Sequence, residues 1–185
     1  PLPDVPSGYP VTRNTGPDSA ASIGARHVVR QDFRLGPDID GDPDGRPGIR
    51  ADGDGVDDDG IDFLTPKSSE PLPFGGDEIP VLVAASTVDL EAFLKLPDGV
   101  ADATLRGWID FNRDGDWQDP GERIVDETVT DNAAFPISFN APDGIEAGLT
   151  HARFRLSSEA DLGPGGSAPD GEVEDYLVRL VTDFD

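Results

Sequence analysis

The chain has 185 residues, no cysteine, and 38 acidic against 14 basic side chains, which gives a formal net charge of −24. This charge excludes a general nucleic-acid binder, which needs a basic face to neutralise phosphate, and it opposes docking to anionic lipid. The lack of cysteine excludes disulfides and thiolate zinc sites, and no apolar run approaches the ~18 residues of a membrane span. Bound divalent cations would relieve the repulsion among so many carboxylates; an acidic surface tuned for solubility is the alternative.

Residues 1–79 contain few periodic apolar segments. Only "ARHVV" and "FRL" resemble strands, while "PLPDVPSGYP" and "PLPFGG" are rich in proline. We predict that this part of the chain is an irregular, calcium-binding extension rich in Asp, Gly and Pro.

Ten aspartates lie in "DIDGDPDGRPGIRADGDGVDDDGID", residues 38–62. Without cations such a run should be disordered, because it buries little apolar surface and repels itself. Two glycine-punctuated clusters favour cages for one or two ions over the alternative, an acidic linker. The predicted ligands are Asp38, Asp40, Asp42, Asp44, Asp52, Asp54, Asp57, Asp58 and Asp59.

From Val81 onward, short apolar runs alternate with turn sequences such as "PDG", "APDG" and "GPGGSAPDG". In "THARFRLS", Ala152, Phe154 and Leu156 alternate with polar residues, which is the period of a half-buried strand. "VDLEAFLKL" is compatible with a helix, but Pro97 and its β-rich neighbours favour a strand. We predict an all-β fold, with residues 80–185 forming an antiparallel β-sandwich of jelly-roll or Ig-like type.

The stretch "WIDFNRDGDWQDPGE" begins as a calcium loop does, with oxygen-bearing side chains at alternate positions and Gly115 at the tight turn. An EF-hand would place a bidentate glutamate at position 121, but Gly121 stands there and Glu122 follows. Pro120 is also unsuited to an exiting helix.

The spacing therefore predicts a calcium loop between two strands, with "TLRGWIDF" entering and "ERIVDETV" leaving. Magnesium is the second choice, because it demands a strict octahedron and dehydrates reluctantly. The alternative is an Asx-turn hairpin with solvated aspartates. The predicted ligands are Asp110, Asn112, Asp114, Asp116 and Glu122.

"PDGEVEDYLVRL", together with "GWIDFNRDGDWQDPGERI" and "ARFRLS", resembles the GEVED domain family, named for the letters at residues 171–175. The resemblance covers roughly residues 80–181, and the upstream acidic run is similar to the segment that often precedes this domain. It implies a β-sandwich accessory module of large secreted and cell-surface bacterial proteins.

Within "GEVEDY", strand alternation puts Glu172 and Glu174 on one face and Asp175 on the other. A buried Asp175 needs a cation or hydrogen-bond donors, because an unpaired buried carboxylate costs several kcal/mol. Arg153 and Arg155 on a neighbouring strand are one source of donors. Calcium shared with an aspartate loop is the other, and it would make Glu172, Glu174 and Asp175 metal ligands.

We predict that Trp108 lies in the core. Trp117 is either a lid packed over the loop or an exposed platform for a sugar ring. His27 and His151 lack any zinc spacing and are interpreted as ordinary hydrogen-bonding residues.

No catalytic motif is present, and paired carboxylates are expected by chance among so many acidic residues, so we expect no enzyme. We expect a structural module of an extracellular bacterial surface assembly, stabilised by several Ca²⁺ ions. It would be an adhesin segment or a self-assembling fibre subunit, joined by strand addition to other copies of itself or to neighbouring modules. The alternative is a secreted module that binds carbohydrate or peptide in a calcium-dependent manner.

Overall fold

The structure, a computed structural model, describes residues 24–37, 60–68, 79–100 and 102–182. The nine predicted ligands between positions 38 and 59 lie outside these residues. The described residues form no helix, and therefore none that could span a bilayer.

The described residues form twelve β-strands. The strands are β1 (Arg26–His27), β2 (Arg34–Leu35), β3 (Ile61–Phe63), β4 (Lys67–Ser68), β5 (Ile79–Val83), β6 (Thr87–Lys95), β7 (Ala103–Ile109), β8 (Arg123–Val129), β9 (Ala134–Asn140), β10 (Gly148–Ser157), β11 (Ser167–Ala168) and β12 (Glu172–Val181). The all-β prediction is confirmed, and "VDLEAFLKL" is a strand, since it lies within β6.

Two larger sheets form the sandwich. The first has six strands in the order β4-β5-β12-β10-β7-β8. The second is built on β6, which pairs with β2 and β3 and also with β9. Phe93 of β6 joins the first two of these partners, because its N–H donates to the Gly60 carbonyl at 2.7 Å and its carbonyl accepts from the Gly36 N–H at 2.8 Å.

The two sheets pack through their apolar faces. Strand β6 alternates buried and exposed residues along its length, as a strand with one face in the core should. Phe63 of the second sheet meets Phe154 and Tyr176 of the first in edge-to-face contacts, with ring centroids 6.1 Å and 5.6 Å apart. Edge-to-face geometry suits the quadrupoles of the rings and adds to their burial.

The β-sandwich is mainly antiparallel, as predicted, but two of its strand pairs are parallel. Strand β5 runs parallel to β12, and β1 runs parallel to β11. Both pairs join strands far apart in sequence, and the local turn signals of a chain cannot reveal such pairings.

Residues on both sides of position 79, the predicted end of the extension, share these sheets. Strands β2 and β3 extend the second sheet, and β4 is the edge of the first. Two of the four strands fall within the segments predicted to be strand-like, β1 within "ARHVV" and β2 within "FRL". The described part of the extension is therefore integral to the sandwich.

Candidate metal centre

The loop of residues 110–122 connects β7 to β8, which pair as an antiparallel hairpin. Its base is closed by a hydrogen bond from the Ile109 N–H to the Glu122 carbonyl at 2.9 Å. The predicted position of the loop, between two strands and without helices, is confirmed.

A tight turn ends the loop. The Glu122 N–H donates to the Asp119 carbonyl at 3.2 Å, and Gly121 between them has φ of +98°. Pro120 and Gly121 at the two central positions are the residues that a type II turn requires. The turn takes the place of the exiting helix of an EF-hand, which accounts for the glutamate at position 122.

The side-chain oxygens of Asn112, Asp114 and Asp116 each accept a hydrogen bond from the N–H two residues ahead, at 3.1, 3.1 and 2.8 Å. Asp110, fully buried, accepts from the Gly115 N–H at 3.1 Å, where φ is +93°. The hydrogen bonds of the Asx-turn alternative are thus present. They curl the loop and fix the direction of its carboxylates.

Three carboxylates of the loop lie close together, on two exposed residues and one partly buried residue. The ligand oxygens of Asp114, Asp116 and Asp119 all lie within 4.8 Å of one another. Two oxygens on opposite sides of one Ca²⁺, each about 2.4 Å from it, are about 4.8 Å apart, so the three carboxylates fit a single ion. Asn112 braces the group, because its amide donates to Asp114 at 3.2 Å and to Asp119 at 2.7 Å.

Asp119 is the residue that the sequence analysis did not predict. A signal was present, since Asp119 is the next carboxylate after Asp116 and immediately precedes the Pro-Gly turn. The comparison with an EF-hand pointed instead to the end of the loop, because an EF-hand draws its bidentate ligand from the exiting helix.

Glu122 lies beneath this group and is 3% exposed. Its Oε2 accepts from the Asp119 N–H at 3.1 Å, while its Oε1 is buried without a hydrogen-bond partner. Burial, together with the charges of nearby aspartates, raises the pKa of Glu122 to about 7, against the opposing effect of the Asp119 hydrogen bond. A buried carboxylate oxygen without a partner is costly, and a cation would satisfy it.

The loop is fastened to the beginning of β10. Arg113, with φ of +58°, donates to the carbonyls of Leu149 at 3.1 Å and Ala147 at 2.8 Å. The Thr150 hydroxyl donates to the Asp110 carbonyl at 2.8 Å. A change in the conformation of the loop should therefore also affect the start of β10, a central strand of the six-stranded sheet.

Trp117 is the lid that one alternative predicted. It is 3% exposed, packs against Trp108, and donates from its indole to the His151 carbonyl at 3.4 Å. The Arg153 guanidinium lies 4.4 Å from the centre of the Trp117 ring, in a cation–π contact. The prediction that Trp108 is core is confirmed, and the prediction of Trp117 as an exposed sugar platform is wrong.

Asp175 pairs with Arg153 across β12 and β10, where the two are Cα partners. The guanidinium donates two hydrogen bonds to the carboxylate, at 2.7 and 2.6 Å, and both side chains are almost fully buried. This bidentate geometry is the strongest form of such a pair. The salt-bridge alternative for Asp175 is confirmed.

Glu172 and Glu174 hold backbone amides. Glu172 accepts from the Leu35 N–H at 2.8 Å, and Glu174 accepts from the Gly60 N–H at 3.1 Å. Among the described residues, neither these glutamates nor Asp175 belong to a carboxylate group close enough to share an ion, and Asp114, Asp116 and Asp119 form the one such group.

Carbonyls of the loop between β10 and β11 surround the buried Arg155. Its guanidinium donates to the carbonyls of Gly163, Gly165 and Gly166 at 2.6, 2.8 and 3.1 Å. Its Nε donates to His27 Nε2 at 2.9 Å, so His27 carries its proton on Nδ1, which lies 2.6 Å from the Asp170 carbonyl. The interpretation of His27 as a hydrogen-bonding residue is confirmed.

The position of His27 predicts a loss of stability in acid. The pKa of His27 is lowered to about 3. Burial is the main cause, and the positive charges of Arg155 and Arg153 add to it, while Asp170 acts in the opposite direction. The unfolded chain binds this proton below about pH 6.5 and the folded chain does not, so stability falls as the pH drops from 6.5 towards 3.

The limiting slope from this one group is about 1.4 kcal/mol per pH unit. Urea unfolding of the wild type and of His27→Gln at pH 7 and pH 5 measures its share, because the carboxylates titrate in both proteins. We expect the wild type to lose more stability than the variant. Equal losses of stability in the two proteins would show that the protonation of His27 does not contribute to the pH dependence.

The sandwich with an acidic hairpin loop defines the class of protein to which the chain belongs, an all-β module with a candidate cation-binding loop. Residues 104–179 match the sequence model of the GEVED domain, which confirms the predicted resemblance to that family over this part of the chain. The matched residues run from β7 to β12 and include the loop of residues 110–122. No curated protein matches the chain.

Proposed function

We propose that the protein is a calcium-stabilised structural module of an extracellular bacterial surface assembly. The observation that carries the proposal is the carboxylate group of Asp114, Asp116 and Asp119, with the buried, unpartnered Oε1 of Glu122 beside it. Hard oxygen ligands in a flexible loop suit Ca²⁺ better than Mg²⁺. The ion would neutralise like charges and hold the hairpin in one conformation.

Two considerations support a calcium-stabilised module that works outside the cell. Free calcium is plentiful outside cells, and extracellular modules bind it at about 10⁻⁴–10⁻³ M. The chain has no cysteine to form disulfides, so bound ions are the stabilising device that its composition offers. The carbohydrate alternative has lost its main candidate, because Trp117 is buried, and we do not propose it.

Calcium binding is tested with Tb³⁺, a luminescent Ca²⁺ substitute. Trp117 lies in the chain between Asp116 and Asp119, so excitation of tryptophan should sensitise Tb³⁺ emission, and Ca²⁺ should compete. We expect Asp119→Asn to abolish this signal and to remove one ion per chain in calorimetry. The matched control is Asp143→Asn, in the exposed "APDG" turn, which should leave the signal unchanged.

Binding should also stabilise the fold. At a ten-fold excess over its dissociation constant, one site adds RT ln 11, about 1.4 kcal/mol, to the free energy of unfolding. Thermal unfolding with Ca²⁺ and with chelator measures this difference, which should vanish at this site in Asp119→Asn. Ions held by the aspartates of residues 38–59 should remain in the variant. Tb³⁺ emission that is identical in both variants and in the wild type would refute the site.

The structural role is tested separately, by electron microscopy and light scattering at rising protein concentration. We expect calcium-dependent oligomers or filaments. A protein that binds calcium but stays monomeric in all conditions would retain the metal site and lose the assembly role.

A further inference from the structure

Strands β1–β4 join the sandwich by pairing with strands from the later part of the chain. We call described residues 24–37 and 60–68 the arm, and residues 79–182 the body. Each arm strand pairs with a body strand: β1 with β11, β2 and β3 with β6, and β4 with β5. Within the described ranges, no two arm strands pair with each other. The arm therefore takes its order from the body.

Side chains of the body accept hydrogen bonds from main-chain N–H groups of the arm. Tyr176 accepts a hydrogen bond from the Ile61 N–H at 2.9 Å and donates one to Glu174 at 2.9 Å. Glu172 and Glu174 accept from the arm amides described above, so alternate residues of the GEVED motif face both described segments of the arm. Charged acceptors make such bonds stronger than neutral ones.

This contact is close as well as polar. A Cβ on Gly60 would lie 2.4 Å from the Leu35 Cβ and 2.7 Å from Glu174 Oε2, so the two arm segments and the motif are packed closely together at this point. Four apolar arm side chains are at most 5% exposed and enter the common core. They are Phe33, Leu35, Ile61 and Phe63.

The surface of the body that the arm covers would be unstable if it were left empty. Without an arm, the body would expose the apolar partners of these four side chains and the edge of β6, at about 25 cal/mol per Å² of apolar surface. It would also remove the amide N–H groups that donate hydrogen bonds to the buried carboxylates of Glu172 and Glu174. This surface is therefore stable only when an extended segment covers it. A second copy of the chain carries an identical arm.

We propose that the face of β12 bearing Glu172, Glu174 and Tyr176, with the adjoining edge of β6, is an acceptor for the arm of a second copy. One segment, residues 69–78, connects arm and body, and ten extended residues span up to about 35 Å. Exchange in one direction from copy to copy builds an open fibre, and reciprocal exchange builds a dimer. This inference rests on the assembly part of the proposed function, and the acceptor surface includes none of the carboxylates of the candidate metal centre.

The absence of cysteine makes a clean cross-linking test possible. Asp62 of the arm and Glu91 of the body are Cα partners in the β3–β6 ladder. One chain carries Asp62→Cys, a second carries Glu91→Cys, and the two are unfolded, mixed, refolded at high concentration and oxidised. A disulfide between the two variants forms in native register when the arm of one chain lies on the body of the other.

The matched control is the pair Thr87→Cys and Asn140→Cys, Cα partners within the body across β6 and β9. These two chains, mixed in the same way, should remain unlinked. We expect heterodisulfide in the first mixture, increasing with protein concentration, and none above background in the second.

Light scattering on the same samples separates two failures. Oligomers without the Asp62→Cys/Glu91→Cys disulfide would overturn arm exchange and leave assembly standing. Monomers at every concentration would overturn both. Equal cross-linking in the two mixtures would show random collision and would also overturn the proposal.

Discussion

Replacing Arg153 with leucine is expected to lower the free energy of unfolding by about 3–5 kcal/mol. The substitution leaves the Asp175 carboxylate, 2% exposed, without its bidentate partner. It also removes the cation from the Trp117 ring and a 2.9 Å hydrogen bond to the Pro164 carbonyl. Urea unfolding with unchanged m-value is the appropriate measurement, because it separates lost stability from a change in compactness.

Two controls identify the cause. Arg30→Leu breaks the exposed pair with Asp32, whose side chains are 44% and 54% exposed, and should cost at most about 1 kcal/mol. The double variant Arg153→Leu/Asp175→Leu should be more stable than the sum of the single effects predicts, since no charge is left buried alone. A cost for Arg153→Leu as small as that for Arg30→Leu would contradict the expectation.

Gly171→Ala is expected to be the second most damaging substitution. A Cβ at this position would lie 1.8 Å from the Leu156 carbonyl oxygen, and Gly171 has φ of +83°. The left-handed conformation alone costs an alanine about 1–2 kcal/mol, and forcing apart β10 and the start of β12 adds about 1–3 kcal/mol. We therefore expect a loss of roughly 2–5 kcal/mol in chemical unfolding.

Gly99→Ala is the matched control. Gly99 has nearly the same φ, +86°, but a Cβ at this position would have no atom of the described residues within 4 Å. The difference between the two variants isolates the close approach at Gly171. If the two substitutions cost the same, backbone conformation alone explains the glycine of the GEVED motif.

The hairpin around residues 110–122 could be predicted because its determinants are local. Alternating acidic side chains, a glycine at the turn and two flanking apolar strands all lie within one short stretch. Asp119 could not be selected on the same grounds, because its approach to Asp114 depends on the direction in which the Pro-Gly turn sends the chain. A turn type is a local property, but the convergence of carboxylates is a property of the folded loop.

The roles of the GEVED carboxylates divide along the same line. Alternation along β12 predicted that Asp175 faces away from Glu172 and Glu174. The sequence offered Arg153, Arg155 or a shared calcium ion as its partner, and the fold was needed to choose Arg153. The amides held by the two glutamates belong to β2 and to the residue before β3, more than a hundred positions earlier in the chain. No period or spacing in the sequence points across such a distance, so this pairing became visible only in the fold.

The carbonyls that surround Arg155 do for the loop between β10 and β11 what a bound ion would do for the acidic hairpin. Three glycine carbonyls converge on a positive charge that is covalently part of the chain. No chelator can extract a guanidinium, and it needs no dissolved ion for occupancy. In water stripped of divalent metal, the glycine-rich turn before β11 should therefore keep its shape while the acidic hairpin loosens, so two loops of one domain would respond differently to the same solution.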